Sequence, residues 1–183
     1  MTSERKIRAL MNRLARLDNA SSWSGDLNPV QRSALEYLRD ANRFSRSPSH
    51  VAEFLGTTRG TMSQTLKALL RKGFVQEVRS ESDKRSISYA LTRAGSAVLA
   101  EDGVIAVALT NLTDQEVVEL ESGLRQTLRQ ALKLNGGKSF GQCKTCRYHE
   151  AAKGAAFCQL LSVPLSAEDS EKICIEHEEA VVA

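Results

Sequence analysis

Residues 28–73 constrain the fold more than any other part of the chain, because helix starts and stops follow each other at short, regular intervals. Asn28-Pro29-Val30-Gln31 opens the first helix: Asn can cap, Pro suits the first helical position, and Gln three residues after the cap can reach back. Ala34, Leu35 and Leu38 give that helix an apolar face. Ser47-Pro48 repeats the signal, and Val51, Ala52, Phe54 and Leu55 fill a short helix that stops at Gly56. Thr58 precedes a third helix, with Thr61 three residues on, which runs to about Lys72 and stops at Gly73. Its apolar residues are Met62, Leu66, Leu69 and Leu70.

Beyond Gly73 the period changes. Phe74 to Arg79 and Ile87 to Thr92 flank the polar stretch 80–86, and Ile87, Tyr89 and Leu91 alternate with small residues, as in a half-buried strand. A hairpin is expected, then a helix from about Thr92 rich in Ala, Val and Gly. Thr113-Asp114-Gln115-Glu116 is a capping box. The helix it opens carries Val117, Leu120, Leu124, Leu128 and Leu132 and ends at Asn135-Gly136-Gly137. At 1.5 Å per residue it spans roughly 34 Å. Upstream, Ile7, Leu10, Met11, Leu14 and Leu17 recur at helical spacing, up to a break at Asn19–Gly25.

Charge is uneven along the 183 residues. Residues 28–95 hold 12 Lys and Arg against 6 Asp and Glu, whereas residues 96–183 are net acidic. The excess in the middle favours a polyanionic partner. No stretch approaches the roughly 20 apolar residues of a membrane helix. The charged N-terminus lacks a signal-like apolar run, so a cytoplasmic protein with no membrane partner is expected.

Helix, short helix, turn, helix, charged hairpin is the order of a winged helix-turn-helix. An α-helix fits the major groove of duplex DNA, and a cationic hairpin can reach phosphates or the minor groove beside it. With Met62, Leu66 and Leu69 facing inward, Arg59, Gly60, Thr61, Ser63, Gln64 and Lys67 are left to face out. Arg suits guanine, Gln suits adenine, and Ser and Thr suit bases or phosphates. Arg79, Lys84 and Arg85 give the hairpin its cations. Gly60 weakens a helix interior by about 1 kcal/mol against Ala, less so near a helix start, and it would let the backbone approach a phosphate.

Asp83-Lys84-Arg85, a strand, then Leu91-Thr92-Arg93-Ala94-Gly95 resembles the wing signature of the MarR family of regulators. The resemblance extends through Val51 to Gly56, Thr61-Met62-Ser63 and Leu70 to Val75, and covers residues 5 to 135. It implies an obligate homodimer held by the helix around Leu10 and the helix from Thr113. It implies that Arg85 enters the minor groove, oriented by Asp83, and that Thr58, Arg59, Thr61, Ser63, Gln64 and Lys67 line the recognition helix. The chain departs from the family pattern at Gly60, where a larger polar residue is usual. A two-fold dimer is expected on a palindromic operator of double-stranded DNA, with a small-molecule effector as a further partner.

All four cysteines lie in the tail, at Cys143, Cys146, Cys158 and Cys174. Cys143 and Cys146 have the spacing of a metal knuckle, and four thiolates match a zinc site or an iron–sulfur cluster. The alternative is a thiol switch that forms disulfides on oxidation. The resemblance does not reach this tail, so no ligand role is inherited. His149 and His177 lie close in sequence, but four cysteines already complete a set. The tail follows the long helix directly, so its state is expected to act on the spacing of the two recognition helices.

The reading is therefore a mainly α chain with a small β-hairpin wing. It divides into an N-terminal dimerisation helix (1–27), a winged helix-turn-helix domain (28–95), C-terminal dimerisation helices (96–137) and a four-cysteine metal or redox tail (138–183). The function expected is a sequence-specific DNA-binding regulator, a repressor, tuned by the tail. The alternative is a tail that only stabilises the dimer or recruits a protein, with effector control of DNA binding. No nucleophile–base pair, phosphate loop or paired-carboxylate motif points to an enzyme.

Overall fold

The computed structural model describes residues 2–21, 27–79, 87–100, 103–152 and 155–180. Asp83, Lys84 and Arg85, expected in the wing, and Trp23 lie outside the described residues. The helices are α1 (Ser3–Ser21), α2 (Pro29–Asp40), α3 (Pro48–Phe54), α4 (Arg59–Arg71), α5 (Arg93–Val98), α6 (Val104–Leu109), α7 (Asp114–Asn135) and α8 (Ala167–Glu171). The strands are β1 (Val75–Arg79), β2 (Ile87–Leu91), β3 (His149–Ala152), β4 (Ala155–Cys158) and β5 (Val163–Leu165). Among the described residues no helix is long and apolar enough to cross a membrane.

The caps explain why the helices start where they do. Asn28 and Gln31 close a reciprocal capping box on α2, and Thr113 and Glu116 do the same on α7. Ser47 caps α3 and Thr58 caps α4, each accepting a backbone N–H three residues on. Gly73, at φ 75°, lets the chain leave α4 for β1. β1 and β2 pair antiparallel, Val75 opposite Leu91 and Arg79 opposite Ile87.

The Leu91–Gly95 signature has a steric basis. Thr92 donates its amide to the Phe74 carbonyl at 3.0 Å and its hydroxyl to the Gly73 carbonyl at 2.7 Å. Its hydroxyl also caps α5 by accepting the Gly95 N–H. A Cβ on Gly95 would stand 2.0 Å from the Phe74 carbonyl oxygen. Only glycine lets α5 lie this close to the strand that leaves α4.

The main core joins α2, α3, α4 and the hairpin through Leu35, Leu38, Val51, Met62, Leu66, Leu69, Val75 and Tyr89, all buried. Tyr37 is buried within it and donates its hydroxyl to the Ser45 carbonyl at 2.7 Å. The single Ala- and Val-rich helix expected after Thr92 is two helices, α5 and α6, with Gly103 at the cap of α6.

The outer helices are dressed differently. α1 and α7 bury none of their residues within the chain. Ile7, Leu10, Met11, Leu14 and Leu17 on α1, and Val117, Leu120, Leu124 and Leu128 on α7, are all exposed. Two such apolar stripes in water call for a covering surface.

The tail folds into a three-stranded antiparallel sheet, β3-β4-β5, followed by α8. It docks on the winged-helix domain. Ile173 bridges Ala41, donating its amide to the Asp40 carbonyl and accepting the Asn42 amide at 2.8 and 2.9 Å. Phe140 completes an aromatic trio with Tyr37 and Phe54, at ring separations of 6.2 and 5.2 Å. Phe140 holds a left-handed φ of 47°, a conformation that costs a non-glycine residue on the order of 1 kcal/mol and persists where packing dictates it.

Candidate nucleic-acid interface and thiol cluster

On α4 the inward face is Met62, Leu66 and Leu69, each fully buried. Thr58, Arg59, Gly60, Thr61, Gln64 and Lys67 are exposed, and Ser63 is half-buried. This division follows from helical period: the buried residues fall at spacings of four and three, which turns Arg59, Gly60, Gln64 and Lys67 to solvent. Two hydroxyls are already engaged, since Thr58 accepts the Thr61 amide at 3.1 Å and pairs with the Thr61 hydroxyl at 2.8 Å. A Cβ at Gly60 would meet only the Thr58 hydroxyl oxygen, at 3.9 Å. Glycine is therefore not demanded there by the chain's own packing. Arg79 is exposed at the outer end of β1, where the wing begins.

The cysteines converge in a second site. Cys143, Cys158 and Cys174 are buried together with Leu165, and Phe44, Tyr148, Ala156 and Val163 pack around them. All four cysteines are free thiols. Cys143 and Cys146 stand at the two ends of a tight turn in which the Cys146 amide donates to the Cys143 carbonyl at 3.0 Å. Cys158 ends β4 opposite His149. Among the described residues no three Cys, His, Asp or Glu side chains form a ready-made metal-binding group.

Within the Cys143–Cys174 pair, Cys174 is the one that favours the thiolate. The hydrogen bond from Cys143 is the largest cause that pulls its thiol down, to about 6, against the opposing effect of burial. The same bond, with burial, pushes the Cys143 thiol up. The Asn42 and Ser45 side chains and the Glu176 backbone also favour the Cys174 thiolate. Cys146 accepts the Glu178 amide at 3.4 Å.

The histidines do structural work in this module. His177 is buried, its Nδ1 paired with the Ser139 hydroxyl at 2.7 Å and its Nε2 with the Thr145 hydroxyl at 2.9 Å. A Cβ on Gly141 would strike the His177 ring at 2.4 Å, so glycine lets the ring lie flat on the chain. His149 Nε2 meets the Ser170 hydroxyl at 3.1 Å. Of the partners of His177, Ser139 precedes the knuckle and Thr145 lies within it, but no local pattern announces the clamp.

Residues 25–86 match a model of the MarR family. Among solved structures, apo MarR from E. coli is similar at 26% identity, with 70% of this chain and 98% of that chain covered and a TM-score of 0.52. A cysteine-to-serine mutant of E. coli MarR, solved with operator DNA, is similar at 26% identity, covering 68% of this chain and 92% of that one, with a TM-score of 0.51. The S. aureus MepR–DNA complex shares the fold at 18% identity, covering 71% and 98%, with a TM-score of 0.53. No curated protein is matched by the chain. The α2–α3–α4–hairpin unit has the winged-helix fold and is similar over residues 25–86 to the MarR family, in a chain that adds a cysteine module to it.

Proposed function

We propose that this chain is a transcriptional repressor that binds a palindromic operator as a homodimer. The observation that carries this is the α4 surface: a polar, cationic face of Arg59, Thr61, Gln64 and Lys67, rigidly backed by buried Met62, Leu66 and Leu69. Helices of this kind enter the major groove, where Arg and Gln can discriminate base edges. In this reading Ser63 and Thr58 flank the contact, Arg79 and Lys84 meet phosphates, and Arg85, oriented by Asp83, reaches the minor groove. The E. coli MarR structure with operator DNA supports it by likeness.

The dimer reading rests on the apolar stripes of α1 and α7. A second copy that covers both with the same residues makes a closed two-fold assembly. It would set two α4 helices about one DNA turn apart.

The test is selection from a random duplex pool, followed by affinity measured across a salt series. The expected result is a two-fold symmetric consensus bound at least about 1,000-fold more tightly than random duplex, with log Kd steeply dependent on log salt. Equal affinity for selected and random duplexes would overturn the reading. Sizing should give a dimer, and Leu14→Glu with Leu124→Glu should give a monomer that has lost operator binding.

A further inference from the structure

The cysteine module is built as though its sulfurs were meant to hold something. Its buried cluster contains three cysteines and a single leucine. Three strands of three or four residues stand over that small core. An apolar core of this size seldom holds a sheet together without a staple. The thiols are free, so no disulfide supplies it.

A second, independent feature points to a ligand at the same place. Asn42 is fully buried beside Cys174. Its Oδ1 accepts the Phe44 amide at 3.1 Å and the Ser45 hydroxyl at 2.8 Å, which fixes the orientation of the amide group. The Nδ2 donor that remains completes no hydrogen bond. A buried donor without an acceptor costs about 1–3 kcal/mol. A metal-bound thiolate at Cys174 would be an acceptor for it. Backbone N–H groups of Glu176 and Glu178 already point at the sulfurs of Cys174 and Cys146. Such donors to coordinating sulfur are a recurring part of thiolate metal sites.

The location matters as much as the chemistry. Asn42 and Ser45 belong to the connection between α2 and α3, the segment that leads into the helix-turn-helix. Ser45 accepts the Ile175 amide, one residue beyond Cys174, at 3.0 Å. Arg43 forms an ion pair with buried Asp169 at 2.9 Å and donates to the Pro164 carbonyl at 2.7 Å. On its other side the connection meets the wing: Tyr89 of β2 donates its amide to the Arg46 carbonyl at 3.1 Å. A cavity of about 470 Å³ follows the seam between module and wing, bordered by Ser47, His50, Val78, Ser88 and Cys174.

We propose that Cys143, Cys146, Cys158 and Cys174 bind one thiophilic metal centre, a zinc ion or an iron–sulfur cluster, whose occupancy holds the α2–α3 connection of the winged helix in place. Cys174 is the lever. Coordination fixes its sulfur against Asn42 and Ser45, and losing the centre frees residues 172–175 from Asp40–Asn42. The signal thus passes within one protomer, through the DNA-binding domain itself. The effect on operator affinity rests on the regulator reading above; the centre and its grip on residues 40–47 do not.

The test begins with full-length protein purified without oxygen or chelator. About one zinc per chain with no visible colour supports a zinc site, and iron with acid-labile sulfide and visible absorption supports a cluster. Backbone amide exchange at residues 40–47 should speed up about tenfold or more when the metal is removed from wild-type protein, and operator affinity should fall about tenfold. Cys143→Ser and Cys174→Ser should lose the metal. Ser45→Ala should keep it while weakening the response at residues 40–47. Four titratable thiols with no metal, even after anaerobic reconstitution with zinc or with iron and sulfide, would overturn the proposal. So would disulfides in place of metal, or metal that leaves exchange at residues 40–47 unchanged. A protein that bound no DNA selectively would sink the regulator reading alone, since metal content and amide exchange are read without DNA.

Discussion

The Ile175 backbone amide donates to the Ser45 hydroxyl at 3.0 Å, in a fully buried contact between residues 130 positions apart. That hydroxyl in turn donates to Asn42 Oδ1 at 2.8 Å. One oxygen therefore joins the C-terminal module to the entrance of the helix-turn-helix.

Removing it should loosen that joint. Ser45→Ala leaves the Ile175 amide and one lone pair of Asn42 unsatisfied inside the protein, at a cost of about 1–3 kcal/mol. Urea unfolding followed by circular dichroism should show a lower midpoint, and limited proteolysis should cut nearer residue 175 in the variant. A midpoint unchanged within error would contradict the contact.

Gly95→Ala should be among the most damaging single changes. Its Cβ would stand 2.0 Å from the Phe74 carbonyl, a backbone atom with no rotamer to escape by. Forced overpacking costs about 1–3 kcal/mol and sometimes more. Thermal unfolding should show a clear drop in Tm, and the wing amides from Val75 to Arg79 should exchange faster.

Gly60→Ala should separate stability from binding. The site is exposed and has room for a methyl group, so alanine should stabilise α4 by up to about 1 kcal/mol. If the bare backbone approaches DNA there, operator affinity should fall about tenfold while Tm rises. Affinity and Tm rising together would assign Gly60 no part in DNA approach.

Lys67→Ala and Gln64→Ala should fail in different ways. Loss of a phosphate contact weakens all sequences alike and reduces the salt slope by about one ion. Loss of a base contact relaxes discrimination at one position by about 1–3 kcal/mol and leaves the slope nearly unchanged. Competition binding with single-base operator variants, repeated across salt, distinguishes them.

Acid should weaken the fold through half-buried His50 and buried His177. Burial holds His50 below the usual 6.5, and burial does the same to His177. For a group depressed in the folded state, the unfolded chain takes up protons first. Stability is therefore fully present above about pH 6.5 and is lost as pH falls below it. Urea midpoints between about pH 7.5 and 5.5 should decline, and His50→Gln should flatten the decline without abolishing it, because His177 remains. A wild-type midpoint that does not move over this range would exclude the linkage.

Much of the winged helix was legible because its signals are local. Asn28 with Gln31, Ser47, Thr58, Thr92 and Thr113 each satisfy a backbone donor three residues away, so sequence spacing alone reveals them. The α4 face was legible because burial of Met62, Leu66 and Leu69 turns Gln64 and Lys67 between them outward. The break between α5 and α6 was not, since Ala- and Val-rich segments on either side share one helical composition. Nor was the seat of the tail. Ile173 meets Ala41 through backbone groups, which carry no residue signature, and the Ser45–Ile175 contact uses a serine that reads as an ordinary turn residue. The cysteines showed that a thiol site exists; only the folded chain shows Asn42 waiting beside it.

The bridge between Ala41 and Ile173 also has a consequence for how the molecule is made. A ribosome releases the residues of the winged-helix unit before it releases the Ile173 segment that borders them. Through that interval the Asp40 carbonyl and Asn42 amide have only water to pair with, and the edge they form stays open. The bridge can close only once Ile173 has been synthesised, after every residue of the winged-helix unit.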